Sequence, residues 1–449
     1  MPESEKRPIH VPLEAKTWHV EHGWRRLEDL CDGVFDCPHT TPGITESGPY
    51  VVRSQDIRTG IFRLSEAGHV SEETYRERIA RAEPRYGDLL YSREGTYFGI
   101  AAEVPKDTRV CLGQRTVLLR PKNARLNSRF LRYWLNSPTM ARHIEGFRDG
   151  SVAERLNMPV IRGLPVPLFR DETQRAIASI LGSFDDKIEL NRRMSLTLEA
   201  MAQAIFEDWF LNFGPTRAKV AGSAPYLAPD IWAQFPDRLD NEGKPEGWRL
   251  NPLSDVAQRA RDTLSPSTFP EELFDHYSIP AFDDGQTPKR EAGRSILSNK
   301  TIVPSNAVLI SKLNPEINRV WLVDTNNDVR AICSTEFLAL SPREPSDRAA
   351  LYCLMTEKNF RQRLEGMVTG TSKSHQRVNP DALLALDIVT APPIIMKAFA
   401  DLTAPLLAKS LASRRELASL ARLRDLLLPG LMSGEIRVKE AAELTEAAP

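Results

Sequence analysis

Residues 174–210 read QRAIASILGSFDDKIELNRRMSLTLEAMAQAIFEDWF. The stretch holds one glycine and no proline. Apolar or small side chains fall at Ile177, Leu181, Phe184 and Ile188, then at Leu198, Ala202, Ile205 and Trp209. Steps of four and three are the rhythm of a helix that lays a seam on another helix. Asn191 and Ser195 interrupt that seam with polar groups. The rhythm returns near the C-terminus at Phe399, Leu402, Leu406, Leu420, Leu423 and Leu427, again with polar middle positions, Lys409, Ser413 and Glu416. Two such seams on one chain pair most simply with each other, in either direction; the alternative packs each helix on its own globule. Polar breaks at matching places favour mutual pairing, because a polar seam position specifies register. Gly214-Pro215 and Pro429-Gly430 are expected to stop the helices, and Pro405 to kink or delay the second.

Outward from the helix, the chain repeats itself. Gly23-Trp24-Arg25 recurs as Gly247-Trp248-Arg249, 224 positions later. LEDL (27–30) aligns with LSDV (253–256), YGDLLYSR (86–93) with SNAVLISK (305–312), and IEG (144–146) with LEG (364–366). Gly150-Ser151 matches Gly370-Thr371, and NRR (191–193) matches SRR (413–415). Six matches in order, at nearly constant offset, indicate a duplicated unit.

Each unit changes character once. Its first part has short apolar runs broken by Gly, Pro, Asn and Asp, such as Leu89-Leu90-Tyr91 and Val320-Trp321-Leu322, which read as strands. Residues 127–145 and 347–365 read as helical, with Pro138 splitting the first. Its second part is the long helix. The fold class is therefore α+β. The expected division is an N-terminal segment 1–19, a globule 20–168, a central helix 169–214, a linker 215–243 rich in proline, a globule 244–392, a C-terminal helix 393–438 and a tail 439–449.

Composition bounds the function. The 449 residues are 41% hydrophobic and 27% charged, with a mean hydropathy of −0.35, which indicates a globular protein of more than one domain. No apolar run reaches membrane-spanning length, and the polar N-terminus does not read as a secretory signal. Five scattered cysteines fit a reducing compartment, so a cytoplasmic location is expected. The formal net charge is −1, but between Arg76 and Arg162 there are 17 Lys+Arg against 9 Asp+Glu, an excess of 8. Fifteen of those 17 are arginine, whose planar fork suits phosphate and guanine edges.

Catalytic signatures are missing. No P-loop, GxGxxG, HExxH or paired CxxC occurs, nor the Asn/Asp-Pro-Pro-aromatic run with which amino-methyltransferases hold a flipped base. His19, His22, Cys31, Cys37 and His39 are zinc-binding types, but their spacing matches no common structural site. The chain reads as non-catalytic, without a metal or cofactor of its own.

DDKIELNRR (185–193) followed by LEAMAQAIFEDWF (198–210) resembles the central helix motif of type I restriction-modification specificity subunits. PEGW (245–248) before LSDV resembles the opening of their target-recognition domains, and LRDLLLPGLMSGEI (423–436) resembles their C-terminal end. The first copy departs from that opening, with His22-Gly23-Trp24 in place of Pro-Glu-Gly-Trp. The resemblance implies two homologous target-recognition globules, each reading half of a split double-stranded DNA site, separated by two long antiparallel helices with an internal pseudo-two-fold repeat. It also implies two modification (methyltransferase) subunits as partners and, in the full complex, two restriction subunits. S-adenosylmethionine, ATP and Mg would belong to those partners. A helix from Gln174 to Asn212 would be about 58 Å long at ~1.5 Å per residue, which suits half-sites on the order of 35–50 Å apart. A coiled-coil scaffold with two protein-binding globules is the alternative.

Family motifs do not name the DNA contacts, so these are chosen by chemistry. Ser92, Arg93 and Thr96 follow a strand, as do Ser311, Lys312 and Asn314 in the repeat. Gln114 beside Arg115 offers an adenine-type reader next to a guanine-type reader. Arg148, Ser151 and Arg155 align with the donor-rich stretch Thr371, Ser372, Lys373, Ser374, His375, Gln376 and Arg377. Phe206, Trp209 and Phe210 are candidate contacts to the modification subunits.

Overall fold

The computed structural model describes residues 8–58, 60–62, 64, 67–95, 98–147, 155–324, 328–369 and 376–441. The chain forms two compact units, Met1–Ile188 with Ser419–Pro449, and Glu189–Ala418. Each long helix is divided between them, whereas the expected division kept the helices whole.

The first unit is built on a four-stranded antiparallel sheet of β1 (Cys31–Asp36), β2 (Leu89–Ser92), β3 (Ala101–Glu103) and β4 (Thr116–Pro121), in the order β1-β4-β2-β3. Leu89, Leu90, Tyr91, Val117, Leu118 and Leu119 are all fully buried. Alternation divides them: Leu89, Tyr91, Val117 and Leu119 face the main core, while Leu90 and Leu118 face a smaller one. A strand covered on both faces needs an unbroken apolar run.

The second unit repeats this sheet with β5 (Ala257–Arg259), β6 (Val308–Ser311), β7 (Val320–Leu322) and β8 (Phe337–Pro342), in the order β5-β8-β6-β7. The registers agree as well. Ser92 lies opposite Thr116 as Ser311 lies opposite Phe337, and Tyr91 opposite Ala101 as Ile310 opposite Val320. Each unit also has a parallel strand pair, Thr45–Val52 with Val110–Leu112 and Leu273–Tyr277 with Arg330–Cys333. The duplication read from short sequence matches is thus a duplication of topology.

The helices after the sheet break at the same place in both units. Ser128–Leu135 is followed by Pro138–Glu145, with Ser137 capping the new helix through Met140 N. Residues 347–365 were expected to be one helix, but Asp347–Thr356 ends at Glu357, whose carboxylate caps Asn359 N and Phe360 N. An N-cap acceptor starts a helix without a proline when it satisfies the exposed amides.

The central helix spans Asp171–Phe206 and the C-terminal helix Pro393–Ser433. In the first unit Ile177, Leu181 and Phe184 share a core with Leu420, Leu427 and Leu431. In the second, Arg414 reaches Ser195 and the ring of Phe399 lies 6.0 Å from that of Phe206, so the helices run antiparallel.

Four expectations need correction. Leu402 and Leu423 are each 38% exposed; the seam of the C-terminal helix keeps the expected Phe399, Ser413, Leu420 and Leu427 but runs through Thr403, Leu407 and Ser410 in place of Leu402, Leu406 and Lys409. Hydrophobicity misplaced it because several true seam residues are polar but satisfied internally; Thr403 Oγ1, for one, donates to Phe399 O. Pro405 does not delay this helix, which begins at Pro393, and it lies exposed, where a carbonyl deprived of its donor faces solvent. Pro429-Gly430 does not stop it either; Gly434, at φ 78°, does. The central helix stops short of Gly214, passing into a π-helical turn at Glu207–Leu211.

That turn also relocates the candidate partner contacts. Phe206, Trp209 and Phe210 are 4%, 1% and 5% exposed and pack inside the second unit with Phe235, Trp248 and Phe399. A wider turn lets Trp209 and Phe210 bury together, which a straight 3.6-residue period opposes. Phe399 meets Trp209 at 5.9 Å and Phe210 at 5.0 Å between ring centroids. Phe399→Ala is expected to cost about 3–5 kcal/mol in urea unfolding. Leu426→Ala, on a residue 67% exposed, should change stability by less than about 0.5 kcal/mol; equal effects would contradict this core.

Candidate nucleic-acid interface

Beyond the sheet end where β2 meets β4, three segments distant in sequence are joined. Arg93 N donates to Arg115 O at 3.0 Å, Leu156 N donates to Arg93 O at 2.8 Å, and Glu94 forms a β-bridge with Arg155. The second unit has the same corner. Lys312 N donates to Glu336 O at 2.8 Å, Val378 N to Lys312 O at 3.1 Å, and Asn314 N to Gln376 O at 3.2 Å, while Leu313 bridges Arg377. Residues chosen separately by chemistry, namely Arg93, Gln114, Arg115 and Arg155, or Lys312, Asn314, Gln376 and Arg377, are therefore brought together by the backbone. Thr96, Arg148, Ser151 and Thr371, Ser372, Lys373, Ser374 and His375 lie outside the described residues.

The side chains differ in availability. Ser92 and Ser311 are 0% and 5% exposed, so their hydroxyls sit inside the sheet rather than at a DNA-facing surface. Ser311 Oγ donates to Leu313 O, shaping the turn, whereas Ser92 Oγ has no hydrogen-bond partner among the described residues. Arg93 is held by Asp36 at 2.9 Å, with its side chain only 14% exposed. Arg155 is exposed, and Arg115 is half-exposed, 3.1 Å from Glu94. Gln114 spends its amide hydrogens on His39 O and Thr41 Oγ1. Arg115 and Asn314 both adopt left-handed backbone, at φ 68° and 51°. For Arg115 that conformation costs on the order of 1 kcal/mol, and it persists because the surrounding hydrogen bonds impose it.

Carboxylates are what the residue types alone did not reveal. Asp36, Glu94 and Glu336 each hold a corner cation. The signal was present for Glu94, adjacent to Arg93 and Arg115 in space and to Arg93 in sequence. The arginine excess shrinks for the same reason. Arg93, Arg109, Arg115, Arg120, Arg129, Arg132 and Arg142 all form ion pairs. Four of their partners, Asp36, Glu72, Asp185 and Glu14, lie outside the window 76–162, so the local excess of 8 falls to 4. Arg78 is a buried strut, donating to the carbonyls of Leu112, Thr40 and Pro38. Among the described residues no group of three His, Cys, Asp or Glu side chains gathers as a metal site, and no helix is long and apolar enough to cross a membrane.

The second corner is latched by two parallel hydrogen bonds, Arg377 Nε to Glu336 Oε2 at 3.0 Å and Arg377 Nη2 to Glu336 Oε1 at 2.9 Å. Hydrogen bonding from Arg377 holds the Glu336 carboxyl below its usual value, against the opposing effect of burial. A depressed folded pKa stabilises the protein above the ordinary carboxylate range and ceases to do so as pH falls through the depressed value. Wild type should therefore exceed Glu336→Gln in stability at neutral pH, and urea unfolding should show the difference vanishing only below the ordinary carboxylate range. A difference independent of pH would remove the latch.

Residues 51–200 match the family model described as the type I restriction modification DNA specificity domain. The type I restriction enzyme MjaIX specificity subunit of Methanocaldococcus jannaschii is 25% identical over 419 residues, covering 90% of this chain and 88% of that protein. The HindI specificity subunit of Haemophilus influenzae is 27% identical over 328 residues, covering 59% of this chain and 67% of that protein. The crystal structure of a type I restriction-modification system S subunit from M. genitalium has a TM-score of 0.53 and 14% identity, covering 93% of this chain and 96% of that one, a likeness of fold. With the duplicated topology and the paired helices, these matches make the chain similar over most of its length to type I restriction-modification specificity subunits, with residues 51–200 corresponding to their DNA specificity domain.

Proposed function

We propose that the chain reads a bipartite duplex site, one half per unit, and that it positions partner subunits without doing chemistry itself. The observation that carries this is the twin corner: identical backbone stitching in two units, with different side chains displayed. Arg115, Gln114 and Arg155 face one half-site, and Lys312, Gln376 and Arg377 the other. Two unlike readers on one chain suit an asymmetric split site, and linking them makes the second contact effectively intramolecular. Thr96, Arg148, Ser151 and the residues from Thr371 to His375 remain candidate DNA contacts on their chemistry alone. S-adenosylmethionine, ATP and Mg act in this proposal on two modification and two restriction subunits, not on this chain.

Lys373→Ala with Arg377→Ala is expected to weaken duplex binding and to lower the slope of log affinity against log salt by about one per lost phosphate contact. Unchanged affinity and slope would take the second corner out of the interface, and a scaffold that binds no DNA would show no salt-sensitive retention at all. Adenine-methylation mapping with a cognate modification subunit should yield a split motif. Replacing residues 20–168 by another reader should change one half only; a motif changed throughout would end the proposal.

Partner docking has a candidate seat in the second unit. An apolar groove of about 360 Å³ is walled by Phe206, Phe210, Leu211, Leu250, Leu354 and Met396 and rimmed by Glu344, Asp347 and Asp387, with Arg363 as the one cation among its described lining residues. An apolar segment with basic flanks, supplied by a modification subunit, fits that lining. Leu211 and Leu250 are 37% and 55% exposed, so Leu211→Asp and Leu250→Asp should leave the unfolding midpoint in place. Association with the modification subunit should fall at least tenfold, roughly the effect of one buried anchor; full association in both variants would empty the groove of this role.

A further inference from the structure

In each unit a carboxylate of the central helix joins three elements. In the first, Asp185 Oδ2 accepts from Tyr133 OH at 2.5 Å and from Arg132 Nη2 at 2.6 Å, while Oδ1 accepts from Arg424 Nη1 at 2.8 Å. Tyr133 lies on the globule helix Ser128–Leu135 and Arg424 on the C-terminal helix. In the second, Glu199 Oε2 accepts from Tyr352 OH at 3.0 Å, while Oε1 accepts from Arg414 Nη2 and Ser410 Oγ, both at 2.6 Å. Tyr352 lies on the globule helix Asp347–Thr356, and Ser410 and Arg414 on the C-terminal helix.

Tyr133 and Tyr352 are 219 positions apart, the offset that relates Leu89 of β2 to Val308 of β6, so they are repeat partners. The carboxylates and arginines are not. At the offset of 222 that relates Asn191 to Ser413, Asp185 corresponds to Leu407 and Arg424 to Ala202. The same junction is thus assembled twice from unrelated helix positions. The carboxylates are 23% and 19% exposed and the paired arginines 20% and 18%. Burial pushes both phenols above their ordinary range, which keeps them protonated as donors. Ion pairs this sheltered forfeit hydration, so they add little net stability; what they supply is one geometry out of many.

We propose that Asp185 and Glu199 are positioning residues for DNA reading, each setting the angle at which its globule is carried on the paired helices. The proposal rests on half-site reading by separate units. Its specific consequence is that loosening one junction blurs one half-site and leaves the other sharp. A residue that merely stabilised the fold would lower both together.

The test uses the full chain in complex with its modification subunit, and methylation of duplexes carrying a single base change in one half-site or the other. The residue 20–168 exchange first shows which half belongs to which unit. Tyr133→Phe should reduce discrimination about tenfold in the half read by the first unit alone, and Tyr352→Phe in the other half alone. Asp185→Asn and Glu199→Gln should reproduce the respective losses, and Asp185→Glu, which keeps charge and acceptors, should restore part of the first. Melting temperature is followed for every variant. Unchanged discrimination in the phenylalanine variants, or equal loss in both halves, would overturn the junctions' role. Failure of the wild type itself to methylate a split site would overturn half-site reading instead.

Discussion

Each globule depends on a helical seam to close its core. Phe399 and Phe206 on the long helices complete the aromatic cluster that Trp209, Phe210 and Trp248 begin, and Leu420, Leu427 and Leu431 do the same in the other unit. An α+β globule with one open apolar face is not a stable product, since the surface left in water forfeits ~25 cal/mol per Å². The helices are therefore not appendages to globules that would fold without them. They are the missing layer of each unit, which is why both helices are divided between the two units.

That arrangement separates fold from specificity. Strand order, register and corner stitching are common to both units, while the side chains at the corners differ: Arg93, Arg115 and Arg155 in one, Lys312, Asn314 and Arg377 in the other. Backbone hydrogen bonds hold each corner whatever its side chains are, so the displayed residues are free to vary without loss of the scaffold. Carboxylates such as Asp36 and Glu336 then restrain individual cations. A restrained cation loses less freedom when it meets a phosphate or a base edge, at the expense of giving up a paired carboxylate.

Sequence reasoning succeeded where burial and hydrophobicity coincide. The central helix shows its rhythm because Ile177, Leu181, Phe184 and Ala202 are both apolar and buried. The duplication shows because β2 and β6 are covered on both faces and leave unbroken apolar runs. It misplaced part of the C-terminal seam, where Thr403 and Ser410 are polar yet buried, and a hydrophobic pattern has no means of registering a hydroxyl satisfied by its own backbone or by a partner helix. Ser92 and Ser311 were misread for a related reason. A serine that ends a strand looks like a surface donor, but the next segments fold back over it. Arginine counts misled about charge because the pairing carboxylates, Asp36, Glu72, Asp185 and Glu14, come from far along the chain.

The polar residues of the seam fix its register. Ser195 Oγ lies 2.7 Å from Ser410 Oγ, and Arg414 Nε donates to Ser195 Oγ at 3.0 Å. Asn191, Ser195, Ser410 and Ser413 are all buried. An all-leucine seam would bury more apolar surface, and it would fit almost as well after sliding by a turn, because one leucine replaces another. A slide by one turn here would strand Glu199 and Arg414 without each other, and an orphaned buried charge is far more costly than a lost hydrophobic contact. The polar seam therefore gives up some stability for a unique register. For units completed by these helices, a unique register is also a unique placement of each corner on its own helical layer.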